Sequence, residues 1–346
     1  MADSSASAPI KFAIAIIVLL ATSLTAFGRA DGCSRSFWND NGVTMISGRT
    51  FDWERHLNDV LWIMPRGMKR QGRAGANSAS WTSKYGSLIV ASANGASDGL
   101  SQAGLAAHLL YLDTGIYEVR DGRPGVATID WVQYLLDNFQ TVGEALDHLK
   151  NVQIVSVPIS GYDKGLRLHL AMEDVRGDSA VVEFIKGRMV VHFGKQYQIM
   201  RNEPAYDEQL ANLRHYLPFK PGAELPGNTS PADRFVRAAY FLHYLPKPKD
   251  AEEAAAYMMS LDYNVSVPFG APYVGLSATY PTWWRDVVDL TNRRIYFNYA
   301  LSPNVIWINL STLNFQRDQP AKRLNALDPG LVGDVSNSFV PAAAPF

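Results

Sequence analysis

The sequence predicts a mixed α+β fold in which two sheets carry helices on their outer faces. Three observations lead there. Apolar runs of β character follow one another over residues 44–112, helical spacing then takes over at 128–150 and again at 207–261, and strand character returns after each helical stretch. Amphipathic helices must lay their apolar faces on something, most simply a sheet. No internal repeat and no long linker divides the chain, so residues 33–346 read as a single domain.

The elements follow in order. Residues 44–53 form a short strand with polar residues inserted, and 59–64 a second strand closed by the turn residues Pro65 and Gly67. Residues 72–80 are small and polar, a loop. Strands are expected at 84–93 and 104–112, separated by Asn94-Gly95 and a link rich in Gly, Ser and Asp. Ile129, Val132, Leu135, Leu136 and Phe139 then share one helical face. A second helix opens at Thr141 with Glu144 three residues on, the capping-box pattern. Strands return at 166–174 and 179–186 around the hairpin turn at Arg176, Gly177 and Asp178, and continue through 189–193 and 198–200. Helices are expected at 207–215, at 230–244, where Ser230 caps and Pro231 takes the first helical position, and at 250–261. Paired strands at 279–290 and 294–299 and a further one at 305–310 complete the pattern. Beyond Asn314 the chain turns Pro/Ala/Asn-rich and loses periodicity, so an irregular tail along the surface is expected.

The first residues have another purpose. Lys11 precedes an apolar run from Phe12 to Phe27, and Ala26, Gly28 and Ala30 supply the small-residue spacing of a cleavage site, so residues 1–30 read as a secretory signal. The run falls short of the ~20 apolar residues a spanning helix needs. Export places the mature protein in the periplasm or outside the cell, with no membrane attachment after cleavage. Among 346 residues, Cys33 is the only cysteine, which excludes an internal disulfide framework. A lipoprotein acylation site is the alternative use of such a cysteine, but Ala30 and Gly32 and the intervening charges Arg29 and Asp31 do not suit it.

Composition narrows the rest. Apolar residues at 47% and charged residues at 19% mark an ordinary globular protein. Lys+Arg 32 against Asp+Glu 33, spread along the chain, recommends no nucleic-acid partner. The seven histidines have no metal-ligand spacing, and His108 stands in a run where an apolar residue is ordinary. Motifs for nucleotide binding and for the serine-hydrolase elbow are absent, so no cofactor and no metal is implied.

What remains is Cys33. If processing also removes Asp31 and Gly32, Cys33 carries a free α-amine of pKa about 7.7 beside its own thiol, a nucleophile supplied with a base. Arg49 and Asp52, three residues apart, would point to opposite faces of a strand. Joint action at one site therefore requires a bend, which Gly48 would ease; otherwise the two form a simple surface ion pair.

The segment CSRSFW at 33–38, followed by GRTFDW at 48–53, resembles the start of the choloylglycine hydrolase family, the penicillin V acylases and conjugated bile salt hydrolases. LWIMPRGM at 61–68 is similar to the exported Gram-negative branch. The likeness recurs at DGLSQAGL (98–105), MRNEPAYD (200–207), from 225 to 235, and over 284–297. It implies the N-terminal nucleophile (Ntn) hydrolase fold, an αββα four-layer sandwich, and a homo-oligomer, a tetramer in the family. It also implies roles: Cys33 the nucleophile, Arg49 the cation beside its sulfur, Asp52 the carboxylate holding the α-amine, Asn202 an oxyanion donor and Arg234 a second ordering arginine. Tyr111 matches a position that is Asn in many bile salt hydrolases and Tyr in known penicillin V acylases. With Trp53, Trp38 and Phe51 it could line an apolar acyl pocket. The implied activity is hydrolysis of a linear amide with an apolar acyl group, as in penicillin V or an N-acyl homoserine lactone. A bile salt hydrolase and a non-catalytic periplasmic binding protein or lipoprotein on the same fold are the alternatives.

Overall fold

A computed structural model describes residues 32–159, 162–163, 165–272 and 279–346. The expected signal segment and Asp31 lie outside them. Two large sheets dominate. The first has seven strands in the order Ile199–Arg201, Ser34–Trp38, Ile46–Asp52, Thr282–Asp289, Arg294–Tyr299, Ile306–Asn309, Gly333–Asp334. The second has nine, in the order Arg188–Phe193, Ser179–Ile185, Leu168–Asp174, Leu105–Tyr111, Gly95–Ser101, Ser87–Ser92, Val60–Met64, Lys322–Leu324, Val340–Pro341.

Helices cover the outer faces. Helices α1 (Trp131–Asn138) and α2 (Val142–Leu149) lie on the nine-stranded sheet, while α4 (Pro231–Tyr244) and α5 (Ala251–Val265) lie on the seven-stranded sheet, with α3 (Tyr206–Arg214) against α4. Ion pairs from Arg35 and Arg49 to Glu173 and Asp98 join the two inner faces. The architecture is the αββα sandwich. Its central strands are buried on both faces, as strands between a helix layer and a second sheet must be.

The helix ends follow their sequence signals. Thr141 Oγ1 accepts from Glu144 N at 3.2 Å, Ser230 Oγ from Asp233 N at 3.2 Å, and Asp250 Oδ1 from Glu253 N at 2.8 Å, each satisfying an orphan donor of the first turn.

Four expectations are corrected. The link read between Asn94 and Gly104 contains a fully buried strand, Gly95–Ser101, in the middle of the nine-stranded sheet. Its small residues reflect proximity: a Cβ at Gly99 would stand 2.9 Å from Leu136 Cδ1 of α1 and 2.7 Å from Leu88 O. The loop expected at 72–80 ends in a strand, Ser80–Thr82, paired with Lys69–Gln71. Strand Ile199–Arg201 does not continue the preceding hairpin but crosses to the other sheet, where it pairs with Ser34–Trp38. Nor is the tail confined to the surface. It contributes Lys322–Leu324 and Val340–Pro341 to one sheet and Gly333–Asp334 to the other, and buries Val335 and Phe339.

Candidate active site

Antiparallel pairing on both sides of Ser34–Trp38 assembles the site. Ser34 stands opposite Thr50 on one neighbour and Arg201 on the other. That register puts Cys33 beside the end of Ile46–Asp52, and brings Asn202, one residue past Arg201, to the same end of the sheet. The Cys33 thiol is buried and donates to the Asp52 carbonyl oxygen at 3.6 Å.

Arg49 and Asp52 do point to opposite faces, and the strand Ile46–Asp52 runs unbroken through both. No bend is needed, because Cys33 at the strand's start meets the two faces together. Gly48 has a different reason: a Cβ there would lie 2.7 Å from Met258 Cγ of α5. Glycine lets the helix seat close to the sheet.

On the face between the sheets, Arg49 pairs with Asp98 and donates to Leu109 O at 2.6 Å and Thr50 O at 3.2 Å. Its guanidinium carbon also lies 5.3 Å from the ring centre of Trp284. On the helix face, Asp52 Oδ2 accepts from Arg234 Nη1 at 2.7 Å and Asp52 Oδ1 from Thr282 Oγ1 at 2.5 Å. Arg234 Nη1 also donates to Val265 O at 2.9 Å, and its Nη2 donates to Gly32 O. The Asp52 carboxylate and the Gly32–Cys33 peptide thus share one guanidinium.

Cys33 opens onto a small pocket whose lining is almost wholly apolar. Phe51, Trp53, Leu109 and Tyr111 form part of it, and the Tyr111 ring meets Trp53 edge-on at 5.9 Å. The Tyr111 hydroxyl donates to Asp113 Oδ1 at 3.0 Å. Trp38, also a candidate for the acyl pocket, lies elsewhere, in a cleft with residues of α3 and α4. All of Cys33, Arg49, Asp52, Asn202 and Arg234 are buried at this one end of the seven-stranded sheet.

Residues 33–323 match the family model described as linear amide C–N hydrolases, choloylglycine hydrolase family. The chain belongs to the choloylglycine hydrolase family. A penicillin V acylase of Pectobacterium atrosepticum is 35% identical over 340 residues, with 90% of both chains covered. A bile salt hydrolase/transferase of Clostridium perfringens is 29% identical over 255 residues, 65% of this chain and 76% of that one. Among solved structures, the penicillin V acylase of Agrobacterium tumefaciens superposes with a TM-score of 0.82 at 37% identity, covering 90% of this chain and 98% of its own.

This choloylglycine hydrolase buries charges that sequence reading left without a role. Asp98, His108 and Glu173 from the nine-stranded sheet and Arg35 and Asp286 from the seven-stranded sheet lie between the sheets around Arg49. Arg201 and Asp262 lie buried on the helix side. The available signal was polar residues standing at positions of a strand where neither face meets water.

Electrostatics modify one expectation. Burial pushes the Cys33 thiol above its ordinary value; Arg49 opposes that, and the Asp52 charge adds to it. The guanidinium therefore lowers the thiol from where burial would otherwise leave it, and does not by itself yield a depressed thiol. Burial likewise keeps Asp262 and Asp286 protonated well above the usual carboxylate range, Asp286 with added repulsion from Asp98.

Proposed function

We propose that this hydrolase is an exported amidohydrolase whose mature chain begins at Cys33 and which cleaves a linear carboxamide bearing an apolar acyl group, in the manner of a penicillin V acylase. The observation that carries the reading is the position of the Cys33 thiol, in the wall of an apolar, aromatic-lined pocket with Arg49 on one side and the Asp52–Arg234 pair on the other.

The chemistry follows from those positions. With the Gly32–Cys33 bond cut, the new α-amine lies beside the guanidinium that also holds Asp52, so the carboxylate can orient it. The amine takes the thiol proton, directly or through a water, and sulfur attacks the amide carbon. The Asn202 amide donates to the tetrahedral oxyanion, and loss of one such donor commonly costs about 3 kcal/mol. The amine then returns the proton to the leaving nitrogen, and water hydrolyses the thioester. Tyr111 and Trp53 offer flat apolar walls to a phenoxyacetyl or long acyl group. Those flat walls favour such groups over the broader bile-acid skeleton. A homotetramer, implied by the family resemblance, belongs to the same proposal and is read by sedimentation velocity.

The test is N-terminal sequencing of the secreted protein, followed by assay against penicillin V, glycocholate and a long-chain acyl homoserine lactone. A mature chain starting at Cys33 that releases the amine from penicillin V or the lactone is expected, and Cys33→Ser should remove that release. A chain retaining Ala30, or full turnover by Cys33→Ser, overturns the assignment.

A further inference from the structure

His108 lies in the dry space between the two sheets and is in contact with two carboxylates. Its Nδ1 is 2.8 Å from Asp98 Oδ1 and its Nε2 is 2.7 Å from Glu173 Oε1. A neutral imidazole has one N–H, so it could donate to only one of these acceptors; only the imidazolium donates to both. Beyond them, Asp98 pairs with Arg49, and Glu173 Oε2 accepts from Arg35 Nη2 at 2.6 Å and Nε at 3.0 Å. The result is an alternating row, Arg49, Asp98, His108, Glu173, Arg35, all fully buried.

The sheet register explains why the row is needed. Arg35 and Arg49 stand directly opposite each other on adjacent strands, a like-charged cross-strand pair, with Asp286 next in line. Asp98 and His108 are the directly opposed pair on the facing sheet. Two arginines side by side in a dry interior are tenable only if each has its own carboxylate, and the two carboxylates must in turn be held apart by a cation.

We propose that His108 is a positioning residue: a permanently charged imidazolium that holds Asp98 and Glu173 in place and so seats the Arg49 guanidinium against the Cys33 sulfur. The groups facing it are Asp98 and Glu173 on neighbouring strands and Arg35, Arg49 and Asp286 across the sheet gap. The titration agrees in direction. Burial alone would strip the His108 proton, but Asp98 and Glu173 outweigh it and hold the imidazolium up to about 10. Glu173, which burial would raise, is drawn down to about 2 by Arg35 and His108. The proposal rests on Cys33 as the nucleophile of the amidohydrolase.

The experiment compares His108→Gln and His108→Lys with the parent, using the pH dependence of Cys33 alkylation by iodoacetamide, which needs no substrate. Loss of the charge in His108→Gln should lower the alkylation rate at pH 7 by roughly an order of magnitude and move its profile to higher pH. The lysine variant should restore much of it. On an amide substrate, His108→Gln should lose kcat with KM within about twofold, because His108 touches no substrate. An unchanged alkylation profile in a folded His108→Gln protein overturns the proposal, whatever the loss of stability. Should neither variant fold, 13C-histidine NMR of the parent decides: an imidazolium persisting at pH 8.5 is expected, and seven neutral rings overturn it. A shifted alkylation profile without cleavage of any amide would refute the amidohydrolase reading and leave this one standing. Cleavage with an unshifted profile does the reverse.

Discussion

At the scale of single residues, the site is a set of buried charges with few ways to be rearranged. Arg234 and Asp52 are fully buried and 2.7 Å apart, so removing the guanidinium in Arg234→Met leaves a carboxylate without its partner. A loss of about 3–5 kcal/mol in urea denaturation is expected. Glu203, next to Asn202, accepts from the backbone N–H groups of Asp113 and Thr114 beyond Tyr111. Burial raises it from 4.5 to about 7 despite those hydrogen bonds. The folded state thus holds its proton more tightly than the unfolded chain. Glu203 stabilises fully below about pH 4.5, and that contribution is lost as pH rises through 7. Melting temperature followed across this window should decline less steeply in Glu203→Gln than in the parent.

At the scale of elements, strand spacing and helix approach decide where these residues meet. The contact between α5 and Ile46–Asp52 depends on the missing side chain at Gly48, where a Cβ would press on Met258 and Asp262. Gly48→Ala should destabilise by about 1–3 kcal/mol, read by chemical denaturation, because the Asp262 carboxylate and Met258 are both fully buried and have to shift to admit the methyl group. Helix α4 carries Arg234 one turn inside its capped start. Replacing the cap, Ser230→Ala, should cost about 1 kcal/mol and leave the site geometry in place. The strand Gly95–Ser101 escaped sequence reading because glycine and serine carry little β propensity. Tertiary contact overrides that propensity, since bulkier residues would collide with α1.

At the scale of the molecule, the last segment closes the second sheet. Lys322–Leu324 pairs with Val60–Met64 and is itself paired by Val340–Pro341. A chain shortened to residue 319 exposes an unpaired strand edge, and should show a lower melting temperature and a greater tendency to aggregate in light scattering. The tail has no periodicity to announce this. Its strands are two and three residues long: Lys322–Leu324 pairs with a strand more than two hundred residues earlier and with Val340–Pro341, while Gly333–Asp334 pairs with Ile306–Asn309 of the other sheet.

Most of the order of strands and helices, the caps at Thr141 and Ser230, the family and the candidate residues Cys33, Arg49, Asp52, Asn202, Arg234, Tyr111 and Trp53 were legible in the sequence. Periodicity and capping are local, and the motifs lie in short contiguous runs. The tertiary structure alone decided how those runs meet. Parity along one strand set Arg49 and Asp52 on opposite faces, and only the neighbouring strand showed that Cys33 meets both without a bend. His108 carried no sequence signal beyond being polar in an apolar run. Its two carboxylates come from 10 and 65 residues away, and burial between two sheets gives that contact its force.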